Sequence, residues 1–229
     1  MTSAYADVPR RGAPMPSGPR IAGAVMPGTD ESAPIWEGPI EREALTPARP
    51  LVWFLGATGG AGVSSLTRSL AYAGDCRRGW PGYIGDLPGA DSPLVVLVFR
   101  TTMHGVERAH SLLLQHAAGG TPEGTHILGV VSVADSDRPL SKPVRNRLAV
   151  VESLARSLAG HCWDVPWLEP WRVMPPRELP EWSPSSTLPA DKKAARDPTR
   201  YPVAPVIALH DQIRVAAAAR VKEISSSAT

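Results

Sequence analysis

The stretch "LVWFLGATGGAGVSSLTRSLAYA" (residues 51–73) decides the fold class of this protein. Its first six residues form a continuous apolar run that ends in glycine, which is typical of a strand buried on both faces of a parallel sheet. Apolar residues then recur at helical spacing from Val63 to Ala73, with serines near the start, and this pattern predicts a helix. The stretch therefore predicts a strand, a glycine-rich loop and a helix in succession.

The same unit recurs along the chain. "SPLVVLVFR" (92–100) and "THILGVVSVAD" (125–135) are predicted strands, each followed by a predicted helix, at 104–120 and 141–160. "HCWDVPWLEPW" (161–171) predicts a fourth, shorter strand. Alternating strands and helices indicate an α/β fold with a parallel sheet. We expect a small parallel sheet of three to four strands with flanking helices over residues 50–171.

Proline marks the two flanks of this domain. Of the 25 prolines, nine precede Leu51 and ten lie between Asp164 and Val206. Residues 1–49 have no sustained periodicity and predict a disordered Pro-rich arm, in which Trp36 is either a residue that docks on the domain or a chance aromatic. Residues 172–203 predict an irregular Pro-rich segment.

The C-terminal part predicts one further helix and a surface for a partner. Residues 204–224 contain strong helix formers and an apolar stripe, so this helix either docks on the domain or binds a partner. Four of the seven tryptophans could fasten the Pro-rich segment to the sheet or present it to a protein partner: Trp163, Trp167, Trp171 and Trp182. Residues 161–229 are therefore the expected partner-binding region, and a homodimer is compatible with the sequence.

Composition excludes several classes of function. The net charge is +2 and no run of five or six like charges occurs, so charge does not support nucleic-acid binding. The longest apolar run, residues 94–99, is too short to span a bilayer, and the start of the chain has no signal-like segment, so we expect a cytoplasmic protein. Cys76 and Cys162 are too isolated to indicate a zinc site or a disulfide framework.

The glycine-rich loop resembles a phosphate-binding loop that has lost its lysine. The pattern G-x-x-x-x-G-K-[ST] between a strand and a helix is matched at Gly62 and Ser64, whereas Ala57 replaces the first glycine and Val63 replaces the lysine. The expected phosphate-binding residues are those that would supply backbone N–H groups or hydroxyls to a nest: Gly59, Gly60, Ala61, Gly62, Val63, Ser64 and Ser65.

The missing lysine affects catalysis more than binding. Loss of one charge-assisted contact costs about 1.5 to 3 kcal/mol of binding free energy. Loss of one preorganised charge at a reacting centre typically costs about 10²- to 10³-fold in rate. We therefore expect a loop that holds an anion and hydrolyses it poorly.

"GATGGAGVSSL" (56–66) resembles the deviant phosphate loop of the ParA/MinD group of partition and positioning ATPases. In that pattern Thr58 replaces the signature lysine and Val63 the second lysine, while three glycines and Ser64 match. The TadZ or CpaE branch of this group also has members that keep the glycines and lack the lysine. The resemblance implies that residues 50–171 are a truncated P-loop NTPase-like domain. It also implies ATP with Mg²⁺ as the cofactor and a role as a positioning or assembly accessory in plasmid partition, conjugation or secretion.

Two further residues are candidates for the same site. Ser64 would bind magnesium held by the nucleotide, and Asp86 in "GDLPGAD" (85–91) is a candidate magnesium or water-positioning residue, against the reading as an ordinary turn aspartate. Arg100 ends a predicted strand at the edge where α/β proteins bind ligands, so with Thr101 and Thr102 it is expected to face the nest. A solvated arginine at a strand end is the alternative.

Three classes of function remain open from the sequence. The first is a nucleotide-binding, hydrolysis-poor accessory of the ParA/MinD type. The second is a scaffold that binds no nucleotide and acts through its Trp/Pro-rich tail. The third is an active NTPase that takes its missing charge from Arg100 or from a partner in trans.

Overall fold

A sheet of five parallel strands forms the centre of the protein, with the order β2-β1-β3-β4-β5. The structure is a computed structural model, and it describes residues 20–40, 49–85 and 88–227. The strands are β1 (Val52–Gly56), β2 (Ala73–Asp75), β3 (Leu94–Arg100), β4 (His126–Val133) and β5 (His161–Val165). The predicted α/β class is confirmed, with one strand more than expected, because the three-residue β2 carries no apolar run.

Helices cover both faces of the sheet. They are α1 (Val63–Ser69), α2 (Met103–Ala117), α3 (Lys142–Ser157), α4 (Glu169–Val173) and α5 (Ala204–Ser227). The buried side chains of α1 and α5 belong to the apolar cluster on one face, and those of α2 and α3 belong to the cluster on the other. The sheet is therefore wound on both sides, as expected for strands without a polar face.

Strand β3 shows why a continuous apolar run predicts such a sheet. Its alternate residues Val96 and Val98 pack into the cluster beneath α1 and α5, whereas Val95, Leu97 and Phe99 pack into the cluster beneath α2 and α3. All five are fully buried. Side chains alternate across a strand, so only an apolar residue at every position satisfies both clusters.

The N-terminal segment that the structure describes, residues 20–40, packs on the domain. Ala33 and Ile40 are buried in the cluster beneath α2 and α3. The backbone of Trp36 donates to the carbonyl of Trp80 at 2.9 Å, and its indole Nε1 donates to the carbonyl of Cys76 at 2.8 Å. The expected disordered arm over 1–49 is thus corrected for this part, and Trp36 docks. Residues 1–19 and 41–48 lie outside the described residues.

The C-terminal part departs from the prediction in two places. The expected strand over 161–171 ends at Val165, and α4 follows it, so the boundary at residue 171 falls inside a helix. Beyond α4, from residue 174 to 203, the chain is irregular apart from two short 3-10 helices. The helix expected over 204–224 is confirmed as α5, which runs to Ser227 and docks through Val206 and Ile213.

Tryptophans fasten this Pro-rich segment to the domain. Trp163 and Trp182 are buried, and Trp171 packs against the apolar cluster beneath α1 and α5. The backbone of Trp182 also exchanges hydrogen bonds with Ser69 and Ala71 at the end of α1.

Among the helices of the described residues, none is both long enough and apolar enough to cross a membrane.

Candidate functional site

The glycine-rich loop lies at the topological switch point of the sheet, where the order of successive strands reverses between β1 and β3. The chain leaves β1 for α1 on one face, and it leaves the neighbouring strand β3 for α2 on the other. In doubly wound sheets of this order, ligands bind in the crevice outside the carboxyl ends of those two strands. A cavity of about 500 Å³ occupies this position. It is lined by Gly56, Thr58, Gly59, Gly60, Ala61, Gly62, Val63, Ser64, Ser65, Asp75, Arg77, Arg78, Arg100 and Pro176.

The loop backbone has the geometry of an anion nest. Gly60 and Gly62 have φ values of 72° and 100°, while Gly59 and Ala61 between and beside them lie outside the left-handed region. Alternation of this kind turns successive N–H groups toward one side of the chain. Within the described residues, no backbone N–H from Thr58 to Ser65 donates to a carbonyl or a side-chain oxygen. These donors therefore remain available at the wall of the cavity.

The helix after the loop adds little to the field of the site. Helix α1 has seven residues, and the residue at its N-cap is Gly62, which has no side chain to cap the helix. Ser64, which is exposed, and Ser65, which is half-buried, line the cavity. Val63, at the lysine position of the motif, is buried in the apolar cluster instead. The positive charge of the site must therefore come from elsewhere in the fold.

Arg100 lines the cavity and braces the loop. Its Nε donates to the carbonyl of Gly60 at 3.1 Å, and its Nη1 donates to the carbonyl of Ala134 at 2.7 Å. The guanidinium thereby ties the glycine-rich loop to the residue that follows β4. The position agrees with the expected one at the edge of the sheet, but much of its donor capacity is directed at the protein backbone.

The two threonines beside Arg100 serve the fold. Thr102 is the N-cap of α2, where its hydroxyl accepts from the N–H of Gly105 at 3.0 Å. Thr101 is buried and accepts from the N–H of Asp135 at 3.2 Å. Neither threonine lines the cavity, so the expected group of three is reduced to the arginine.

Sequence reasoning missed Arg77, Arg78 and Asp75, which all follow or end β2. The strand β2 pairs with β1 in parallel, so the residues at its carboxyl end reach the same edge of the sheet as the glycine loop. Among the described residues, the lining thus contains three arginines and one acidic residue, Asp75. The dipeptide Arg77-Arg78 was visible in the sequence, but without β2 nothing placed it at this edge.

The expected magnesium residues are only partly placed. Ser64 lines the cavity, whereas Asp86 lies outside the described residues. Asp75 is the carboxylate in the lining, and its Oδ1 accepts the backbone N–H of Arg77 at 2.7 Å. No group of three or more His, Cys, Asp or Glu side chains suited to a metal occurs in the described ranges. The oxygen donors present fit a magnesium ion held mainly by phosphate oxygens.

The Pro-rich segment also contributes to the cavity. Pro176 lines it, and a Cβ added at Gly62 would lie 3.8 Å from the ring of Trp171 and 3.7 Å from Val133. A residue of the expected partner-binding region thus also packs near the glycine-rich loop.

Comparison with family models, with curated proteins and with solved structures finds no match for this chain. The resemblance of the loop to the ParA/MinD group stays a prediction.

Proposed function

We propose that this protein binds a phosphate-bearing ligand, with ATP as the leading candidate, and hydrolyses it poorly or not at all. The observation that carries the proposal is that unpaired amides of a glycine-rich loop and three arginines line one cavity. Backbone nests and guanidinium groups are the donors with which proteins hold phosphate. The volume of about 500 Å³ lies within the range of about 300 to 1,000 Å³ that small-molecule pockets occupy.

The low turnover follows from the side chains that stand in for lysine. Val63 is buried and apolar, and no lysine occurs among the residues that line the cavity. Arg100 is engaged by two carbonyls, so it cannot follow the charge of a departing phosphoryl group without breaking these hydrogen bonds. Because the rate depends on charge that develops at the reacting centre, catalysis suffers more than binding.

The cellular role in the proposal is that of an accessory in positioning or assembly, as the ParA/MinD resemblance of the loop implies. In this proposal the protein acts in the cytoplasm on a protein partner or on a second copy of itself. Helix α5 offers outward-facing apolar side chains for such a contact, since Val215 is 61% and Val221 is 42% exposed. A pure scaffold remains the alternative, but Trp163 and Trp182 are buried and are not available to a partner.

The test is calorimetric titration of the full chain with ATP, with and without Mg²⁺, followed by measurement of phosphate release. The proposal predicts saturable binding with a turnover at least about 10²-fold below that of a lysine-bearing loop. Absence of binding at millimolar nucleotide and at millimolar inorganic phosphate would refute it and favour the scaffold. Fast turnover that Arg100→Ala abolishes would instead support the active NTPase.

A further inference from the structure

The turn that follows β2 places two adjacent arginines in an unusual backbone conformation. Arg77 has φ 49° and Arg78 has φ 65°, and the N–H of Gly79 donates to the carbonyl of Cys76 at 3.1 Å. A hydrogen bond between the first and fourth residues with positive φ at both central positions is the signature of a type I′ turn. Glycine, asparagine and aspartate dominate those central positions, because other side chains there are strained.

The surrounding structure holds this turn firmly in place. Cys76 is fully buried, its N–H donates to the carbonyl of Phe54 in β1 at 3.0 Å, and its carbonyl accepts the indole N–H of Trp36 at 2.8 Å. A Cβ on Gly79 would lie 2.7 Å from the same indole nitrogen. Trp80, which follows, is fully buried and pairs with the N-terminal segment. Packing on both sides therefore fixes the direction in which the turn faces.

Arginine is an unfavourable residue at these two turn positions, so we expect its positive charge to have a function there. Both residues line the cavity beside the glycine loop. Arg78 is exposed, and its guanidinium makes no hydrogen bond or ion pair in the part of the chain that the structure describes. Strained left-handed residues persist where the neighbouring structure over-determines them, and they cluster at ligand sites.

We propose that the Arg77-Arg78 turn contacts the anion directly and supplies the positive charge that Thr58 and Val63 do not. The inference rests on the proposed function, because it concerns the ligand of the same cavity. The loop on β1 and the turn on β2 form two separate donor walls, and the cavity has room for more than a single phosphate. The ligand class is therefore a di- or polyphosphate, such as the phosphate chain of a nucleotide, with one phosphoryl group at the nest and the next at the arginines.

The experiment is calorimetric titration of the full-length protein with inorganic phosphate, pyrophosphate and tripolyphosphate, without divalent metal, at two salt concentrations. Wild type is expected to bind pyrophosphate and tripolyphosphate at least about tenfold more tightly than phosphate. Arg78→Gln and Arg77→Gln are each expected to weaken pyrophosphate binding about 10- to 100-fold, while Arg78→Lys recovers part of the loss. Arg156→Gln, the same charge change on α3, serves as the control and should leave the affinity unchanged.

The outcomes separate the two proposals. Equal affinity of wild type, Arg77→Gln and Arg78→Gln for pyrophosphate would overturn this inference and leave the proposed function standing. Failure of wild type to bind any of the three anions would overturn both. Binding of phosphate as tightly as pyrophosphate would overturn the assignment of the ligand class.

A stability measurement tests the role of the turn independently of the affinity. Arg78→Gly removes the side chain from a left-handed position, so it should raise the midpoint of thermal unfolding while it weakens pyrophosphate binding. Arg78→Gln should weaken binding to the same extent without that gain in stability. An unchanged or lower midpoint for Arg78→Gly would contradict the claim that the chain retains a strained arginine for its charge.

Discussion

Replacement of Gln115 by methionine should detach the N-terminal segment and strongly destabilise the fold. Gln115 is 5% exposed, and its amide makes four hydrogen bonds. Its Oε1 accepts from the N–H of Ala33 at 2.8 Å and from the indole Nε1 of Trp80 at 2.9 Å. Its Nε2 donates to the carbonyls of Ala33 at 2.9 Å and Gly120 at 3.1 Å. One side chain therefore joins α2 to residues 20–40 and to the loop before β3.

The expected loss follows from the groups that methionine would leave unpaired. A buried donor without a partner costs about 1 to 3 kcal/mol, and Gln115→Met leaves two donors, on Ala33 and Trp80. The two carbonyl oxygens are orphaned at lower cost. We expect the free energy of unfolding to fall by about 3 to 5 kcal/mol, a large part of the 5 to 15 kcal/mol that is typical of a domain.

Urea unfolding of wild type and variant measures this loss, with Gln212→Met as the control because Gln212 is exposed on α5. Amide exchange at Ala33 reports whether the segment detaches before the domain unfolds. A decrease below about 1 kcal/mol together with unchanged protection at Ala33 would refute this account of Gln115.

Three further predictions concern the loop and a buried histidine. Gly62→Ala should lower the free energy of unfolding by about 1 to 2 kcal/mol, because φ is 100° there, although an added Cβ would make only ordinary contacts. Gly59→Ala should be tolerated, because no atom lies within 4 Å of an added Cβ. Equal urea midpoints for the two variants would contradict this prediction. Arg100→Ala should weaken pyrophosphate binding about tenfold, because the carbonyl of Gly60 loses its hydrogen bond, while the circular dichroism spectrum should stay unchanged. An unchanged affinity in calorimetry would show that Arg100 does not hold the loop in its binding conformation. Burial, and to a smaller extent the charge of His126, lowers the pKa of His116 from 6.5 to about 4. As the pH falls from 6.5 to about 4, the unfolded state is therefore protonated before the folded state, and the free energy of unfolding should decrease by about 3 kcal/mol. Acid titrations of unfolding should be flatter for His116→Gln, and identical slopes would show that another group is responsible.

The sequence predicted those parts of the fold whose signal is local. The apolar run of β3, the helical spacing of α2 and the glycines that follow β1 are all local features of the sequence. They place the candidate loop at the correct edge of the sheet. Strand β2 contains only the three residues Ala73 to Asp75, which are half-buried and form no apolar run. The sequence therefore contains no pattern that predicts this strand. Its pairing with β1 is a tertiary contact.

Strand β2 was not predicted, and its absence from the prediction explains most of what was missed at the site. Arg77 and Arg78 lie at the ligand edge only because β2 is a strand of the sheet, so their role could not be inferred without it. The packing of residues 20–40 was missed for a related reason: Ala33, Trp36 and Ile40 are anchored by contacts far along the chain and follow no helical or alternating period. Composition alone indicated disorder there, and specific hydrogen bonds override it.

The most direct test of the central claim is a titration of ¹⁵N-labelled protein with pyrophosphate, followed by amide chemical shifts. The account predicts saturable shifts for the loop amides of Gly59, Gly60, Gly62 and Ser64, together with those of the Arg77-Arg78 turn, at one common dissociation constant. The exposed amides of α3 serve as an internal control and should not move. Absence of shifts in the loop at millimolar pyrophosphate, or shifts confined to other surfaces, would contradict the claim that this cavity holds a phosphate-bearing ligand.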